Sequence, residues 1–219
     1  MLAWVYEAAS TAGIFDAVLV ATDSDEVAAF GRARGWDVRL TSPELPSGTD
    51  RVHAIAQQEP ADIYVNIQGD EPMLRHEHFE ALLRPFSRLE ISKRVEVTTV
   101  MTACTPGNIL NPNAVKVVVA HDGRALYFSR APIPWDRDAH GDVVYWKHLG
   151  LYAYRKPALD RFPTLPASRL EAAERLEQLR FLENGIDVYV EQVPYDTIGV
   201  DTEADITAVA ALLPRESKK

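Results

Sequence analysis

The sharpest chemical signal in the chain is Gln68-Gly69-Asp70-Glu71-Pro72, which breaks off an apolar run from Ile63 to Ile67. A carboxylate on a tight turn after a buried strand can hold Mg²⁺ through oxygen, and the adjacent glycine lets backbone approach a ligand closely. The same residues also make an ordinary polar turn, and local sequence leaves both readings open. A second carboxylate stands in Ile198-Gly199-Val200-Asp201-Thr202, directly ahead of a helical pattern. Asp201 is suited to cap that helix, or to share a divalent cation with Asp70, since Mg²⁺ is typically held by one or two carboxylates together with phosphate and water. Ser47-Gly48-Thr49-Asp50-Arg51 brings small hydroxyls, a glycine and a cation to a helix start. That setting suits a nucleotide, or simply a capped helix. It is not a P-loop, because the glycine-rich stretch ending in lysine is absent.

Other polar residues stand singly. His148, in Lys147-His148 ahead of Gly150, suits contact with a sugar acid or a structural role. Arg130, after Ser129, can offer a guanidinium fork to a carboxylate or lie on the surface. Glu177 and Gln178 fall in a helical pattern between Leu176 and Leu179. Several chemistries are excluded: there is no Gly-x-Ser-x-Gly elbow, His-Glu-x-x-His pair or EF-hand loop. His53, His76, His78, His121 and His140 follow no metal-ligand spacing. Cys104, the only cysteine, rules out an intramolecular disulfide or a cysteine-cluster metal site and reads as an inert core thiol.

Composition narrows the class further. The 219 residues are 47% hydrophobic and 25% charged, with 32 acidic against 23 basic side chains and a net charge of -9. That is an ordinary globular balance, sized for one large domain at roughly 150 residues per domain. A diffuse acidic excess argues against nucleic acid as partner, which needs clustered cations, yet permits a phosphorylated small molecule carried with a divalent cation. No apolar run is long enough to span a bilayer and no signal peptide is present, so the expectation is a cytoplasmic protein without membrane contact.

These residues need a scaffold, and hydrophobic periodicity outlines one. Leu2 to Ala9 carries a helical stripe ended by Gly13, and Ala17 to Ala21 reads as a buried strand. Asp23 or Ser24 caps a helix closed by Gly35, and Trp36 to Leu40 is a strand. Thr41 to Gly48 is loop; Thr49 or Asp50 caps a helix to about Gln58. Strands at Ile63 to Ile67 and Val95 to Met101 flank a helix over Glu77 to Leu83. This alternation predicts an α/β fold, a mostly parallel sheet with helices on both faces. After Thr102 the pattern changes: strands Val115 to Ala120 and Ala125 to Phe128 join through an Asp122-Gly123 hairpin turn, and a proline-marked excursion follows. Residues 108–146 are therefore expected as an inserted, protruding, β-rich subdomain within a single domain of residues 1–219. Strand Leu149 to Tyr154, helices Pro157 to Phe162 and Leu170 to Glu183, strand Val188 to Val193 and helix Thr202 to Leu213 complete the order.

Taken in sequence, SGTDR, ADIYVNIQGDEP, NAVKVV, ALYFSRAPIP, KHLGLYAYR, LEQLR and GVDT resemble the 3-deoxy-D-manno-octulosonate (Kdo) cytidylyltransferases, or CMP-Kdo synthetases. SGTDR or QGDEP alone would point only to sugar nucleotidyltransferases; the ordered set is far more specific and runs from Met1 to the last helix. The resemblance implies a Rossmann-like nucleotidyltransferase fold and a homodimer formed largely through the inserted subdomain. It implies transfer of CMP from CTP to the anomeric hydroxyl of Kdo, releasing pyrophosphate, in lipopolysaccharide biosynthesis. By motif it makes Asp70 and Asp201 the catalytic Mg²⁺ ligands. Gln68, Arg130, His148, Tyr152, Glu177 and Gln178 become the sugar-acid pocket, and Ser47, Gly48, Thr49 and Arg51 the nucleotide-binding loop. The competing expectations are a cytidylyltransferase for a related sugar acid and a truncated, non-catalytic nucleotide- or sugar-binding homologue.

The resemblance departs at one place. Members of that family begin with a strand and a loop of the form P-A-R-x-x-S-x-R-L-x-G-K-P, whose cations bind the nucleotide phosphates. Here Met1-Leu2-Ala3-Trp4 stands where the helix after that loop belongs. The expectation is a start assigned too far downstream, with a missing piece of about two dozen residues, one strand plus a loop.

Overall fold

The computed structural model describes residues 1–138, 141–200 and 203–212; His140, Asp201 and Thr202 lie outside them. In chain order the helices are α1 (Leu2–Thr11), α2 (Asp25–Arg32), α3 (Gly48–Ala56), α4 (His76–Leu83), α5 (Pro106–Ile109), α6 (Lys156–Arg161), α7 (Arg169–Glu174), α8 (Gln178–Glu183) and α9 (Glu203–Leu212). The strands are β1 (Leu19–Thr22), β2 (Asp37–Leu40), β3 (Ile63–Asn66), β4 (Val97–Ala103), β5 (Lys116–Val119), β6 (Ala125–Ser129), β7 (Trp146–Arg155) and β8 (Val188–Gln192).

β1 and β2 form a separate parallel pair, and the other six strands form one sheet in the order β6-β5-β7-β4-β8, with β3 also paired to β7. β3 and β4 are each antiparallel to β7, and β8 is parallel to β4. Three of these four central strands therefore share one direction, and β7 alone is reversed among them. Alternate residues of β7 serve opposite faces, as the strand pleat requires. Tyr152 and Tyr154 pack with Leu159 of α6 and Leu179 and Phe181 of α8. Leu149, Leu151 and Ala153 pack with Ala9 of α1 and Phe79 and Leu82 of α4. Helices thus cover both faces, as the β–α alternation predicts.

Two expectations about helix ends change. α3 is capped by Ser47, not by Thr49 or Asp50: its Oγ accepts from Asp50 N at 3.1 Å while donating to the Asp50 carboxylate at 2.5 Å. The single helix expected over Leu170 to Glu183 is two, α7 and α8, broken at Arg175, which is left-handed at φ 56°, ψ 47°. The apolar spacing is compatible with one helix, but tertiary bonds impose the turn. Glu174 accepts from Ser129 Oγ at 2.6 Å and Arg130 N at 2.9 Å, and Arg130 Nε donates to the Glu174 carbonyl at 2.7 Å.

The segment from 108 to 146 extends the main sheet: β5 pairs with β6 along its length and with β7 at Lys116↔Lys147 and Val117↔Trp146. Lys116 is fully buried there, its ammonium donating to the carbonyls of Asn111 at 2.8 Å and Ala114 at 2.5 Å. The outer surface of the same segment exposes Leu110, Leu126, Trp135 and Val144. Among the described residues no helix is long and apolar enough to cross a membrane.

α2 lies unusually close to β2. A Cβ on Gly31 would sit 2.8 Å from Val38 Cγ2 and 3.2 Å from Trp36 Cε3. Gly31→Ala is expected to destabilise the fold by about 1–2 kcal/mol, the overpacking cost exceeding alanine's gain in helix propensity. Urea denaturation should show a lower midpoint at unchanged slope.

Candidate active site

The loop before α3 and the turn before α8 meet although 128 residues separate them: Thr49 N donates to Glu177 Oε2 at 3.3 Å. Thr49 Oγ1 is also 3.0 Å from Tyr154 Oη on β7. Gly48 lies against the end of β3, where a Cβ would come within 3.1 Å of Gln68 Nε2 and 3.2 Å of Asn66 Nδ2. Any side chain at 48 would therefore press on two amides, which is the physical reason for glycine in this motif. Gln68 Nε2 in turn donates to Asn66 Oδ1 at 3.2 Å. Among the described residues the buried Gln178 amide nitrogen has no hydrogen-bond partner, and the Asn66 side chain lies beside the Tyr154 hydroxyl. A donor such as that of Gln178 is costly to leave unmet and suits a ligand rich in oxygen. Outside this cluster a cleft of about 510 Å³ opens, with Ser47, Ser168, Arg175, Glu177 and Arg180 among its walls.

His148, Tyr152 and Tyr154 form a ladder of rings on one face of β7, with centroids 5.3 and 5.9 Å apart. Phe128 meets the His148 ring edge-on at 4.9 Å. Burial holds the His148 imidazole neutral, its pKa lowered to about 3, with the nearby Lys147 charge acting in the same direction. Burial likewise raises both tyrosines well above the usual phenol range, reinforced at Tyr152 by Tyr154 and Glu177 and at Tyr154 by Glu177. These rings are therefore hydrogen-bonding groups, not charge carriers, at neutral pH.

Asp70 is exposed at the carboxyl end of β3, where ligands bind in open α/β sheets. Its carbonyl accepts from Val200 N at 3.0 Å, joining the turn at 68–72 to the loop that leads to Asp201. Asp201 itself lies outside the described residues. Glu71 braces the same junction. Its carboxyl lies beside the Thr197 hydroxyl, and a Cβ on Gly199 would be 3.3 Å from its Oε1. Burial raises the Glu71 pKa, while that hydroxyl and the Lys147 charge pull it down. Lys147 Nζ fixes the loop by donating to Asp196 Oδ1 and the Thr197 carbonyl, both at 2.8 Å.

Two expected binding residues are engaged within the protein. Arg130 donates to the carbonyls of Pro112, Glu174 and Arg175, so it holds the turn beside the cleft. Arg51 bonds the Thr41 hydroxyl and pairs with Asp23 at 3.5 Å, at the carboxyl ends of β2 and β1. Gln68, His148, Tyr152, Glu177 and the Ser47–Thr49 stretch are joined by the contacts above, and Gln178 follows Glu177 at the start of α8. Asn66 and Tyr154 escape a reading of the sequence as single site residues, because each looks like an ordinary strand residue, and Glu71 and Lys147 stand in motifs singled out there without their bracing role being visible. Only Asn66, a lone amide ending an apolar strand, carries a local signal. Cys104 is half-buried just after β4, and burial raises its pKa, keeping the thiol protonated.

A carboxylate turn at a strand's carboxyl end, a capped hydroxyl loop and a polar cleft stand together on this α/β scaffold. The fold alone is shared with 4-diphosphocytidyl-2C-methyl-D-erythritolsynthase from Anaerococcus prevotii, with a TM-score of 0.63 at 12% identity over 96% of this chain and 87% of that one. A cytidylyltransferase family model matches residues 1–191. The 3-deoxy-manno-octulosonate cytidylyltransferase of Acidobacterium capsulatum is 60% identical over 218 residues, 100% of this chain and 87% of the relative. A structure of CMP:2-keto-3-deoxy-manno-octonic acid synthetase complexed with CTP aligns with a TM-score of 0.89 at 40% identity, covering 96% of this chain and 86% of that one. The chain belongs to the 3-deoxy-manno-octulosonate cytidylyltransferase family, as its ordered motifs imply.

The neutral His148 has a stability consequence. Its folded pKa of about 3 lies below the ordinary 6.5, so the unfolded chain takes up a proton first on acidification. The stabilisation is complete above pH 6.5 and is lost as pH falls towards 3; His78, also lowered by burial, acts in the same sense. Between pH 6.5 and 5 the His148 share is on the order of 2 kcal/mol. Urea denaturation of His148→Asn should show a correspondingly shallower loss of stability across that interval.

Proposed function

We propose that this chain transfers CMP from CTP to the anomeric hydroxyl of Kdo, releasing pyrophosphate, as a cytoplasmic step of lipopolysaccharide biosynthesis. The observation that carries the reading is the Thr49–Glu177 bond, which closes the SGTDR loop onto the LEQLR helix. Hydroxyls of Ser47 and Ser168 beside Arg175, Glu177 and Arg180 in one cleft suit a polyhydroxylated sugar acid beside a nucleotide. The buried Gln178 amide nitrogen, without a partner among the described residues, supplies a donor that such a ligand would satisfy.

Asp70 and Asp201 are the residues proposed to hold Mg²⁺. Asp70 offers a hard oxygen ligand, and the Val200–Asp70 bond draws the 196–200 loop to it. Among the described residues no group of three His, Cys, Asp or Glu is gathered for a metal. The site is therefore read as carboxylates completed by phosphate oxygens and water. When bound, Mg²⁺ would neutralise the α-phosphate and lower the pKa of the attacking hydroxyl. The chain's own residues hold the sugar in line for displacement of pyrophosphate, so catalysis is positioning without a covalent enzyme intermediate. A homodimer through residues 108–146 is supported by the exposed Leu110, Leu126, Trp135 and Val144, which a partner copy would cover.

The test is pyrophosphate release with CTP, Mg²⁺ and Kdo, against controls without Kdo and with a sialic acid. Release is expected only with Kdo; preference for another sugar acid would change the substrate assignment. Asp70→Asn is expected to lower turnover by roughly 100-fold or more. Its melting temperature should stay near wild type, because the side chain is exposed. Near-normal turnover in this variant would remove Asp70 from the metal site.

A further inference from the structure

Thr99 lies on β4 opposite Tyr152, at the point where the strand register is interrupted. The pairing passes from Thr99↔Tyr152 to Val100↔Leu149, leaving Gly150 and Leu151 without opposite residues on β4. Such irregularities re-aim side chains beside functional sites. Here three groups crowd one buried hydroxyl: Thr99 Oγ1 is 2.7 Å from the Leu151 carbonyl, 3.3 Å from the Leu149 carbonyl and 2.9 Å from His148 Nε2.

Proton bookkeeping decides the roles. A hydroxyl has one proton, and a carbonyl has none to give. The Thr99 proton therefore goes to the nearer carbonyl, Leu151, and the contact with the ring is satisfied only if Nε2–H donates to Thr99 Oγ1. Because the buried ring is neutral, one nitrogen carries the proton and Nδ1 keeps a lone pair. Phe128 and Tyr152 flank the ring and oppose its rotation away from this arrangement.

We propose that Thr99 is a positioning residue for the sugar acid: it fixes His148 as the Nε2–H tautomer, so that Nδ1 accepts a hydrogen bond from a sugar hydroxyl. His148 would then read hydroxyl configuration, leaving the substrate's carboxylate to donors elsewhere in the pocket. The tautomer follows from the hydrogen-bond geometry of a neutral, buried ring; the role towards the sugar rests on the function proposed above.

The experiment compares wild type with Thr99→Val, which keeps the shape and loses the hydroxyl, and with Thr99→Ser, which keeps the hydroxyl. In ¹⁵N-histidine-labelled protein without ligand, the His148 ring should give the neutral Nε2–H signature in wild type and Thr99→Ser. In Thr99→Val it should shift towards Nδ1–H. The KM for Kdo should rise about tenfold in Thr99→Val, with the KM for CTP unchanged, and recover in Thr99→Ser. A wild-type Nδ1–H signature, or an unmoved tautomer in Thr99→Val, would overturn the inference. So would an unmoved Kdo KM in Thr99→Val if His148→Asn raises it. If neither variant alters the Kdo KM while the NMR result stands, the pocket assignment of His148 fails and the tautomer assignment survives.

Discussion

The register of β7 is the constraint on which this molecule depends. That one strand pairs with β3, β4 and β5, and it presents His148, Tyr152 and Tyr154 on a single face. Because side chains alternate, a slip of one residue would send all three rings to the α1–α4 face and turn Leu149, Leu151 and Ala153 to the α6–α8 face. Such a slip would put Tyr hydroxyls and an imidazole among Phe79 and Leu82. Burial of the apolar set on one side thus specifies the polar set on the other. Stability and site geometry are two readings of one alternation.

Around that strand the pocket holds polar groups to an unusual degree. The Gln178 amide keeps a buried nitrogen without a partner among the described residues, and at Gly48 any side chain would press on the Asn66 and Gln68 amides. A protein selected only for stability would fill such a space with hydrocarbon or pair its donors. The protein instead concentrates ordinary stabilisation elsewhere: in the clusters on both faces of the sheet, and in clamps such as Lys147 to Asp196 and Arg130 to the turn at Arg175. Arg130 and Lys147 thus donate to backbone carbonyls beside the site.

Much of this was legible in the residues. The β–α alternation, the Ser24 cap and the Asp122-Gly123 turn depend on local chemistry and stand where periodicity and capping rules put them. The order of motifs identified the family because each is a short run with fixed chemistry. What periodicity missed depended on distant partners. Leu170 to Glu183 has a helical pattern throughout, and nothing within it announces that Glu174 bonds Ser129 and Arg130. Arg130 offers a guanidinium in the sequence, and only the fold shows its bonds to the carbonyls of Pro112, Glu174 and Arg175. Thr99 sits in a run that reads simply as buried strand, and only the fold places a ring nitrogen beside its hydroxyl.

The Thr49–Glu177 bond has a consequence for synthesis. Its two ends are 128 residues apart in the chain, so a polypeptide leaving the ribosome has the loop before α3 long before it has the turn before α8. Loop-closure entropy delays such contacts, and domains this size commonly pass through partly ordered states. Early-emerging segments supply Ala9, Phe79 and Leu82 of the α1–α4 face, which closes only when β7 brings Leu149, Leu151 and Ala153, and the Thr49 loop lacks its partner until Glu177 arrives. A prematurely released fragment would thus expose that face without offering a place for ligand, and binding can reward only chains completed beyond that point.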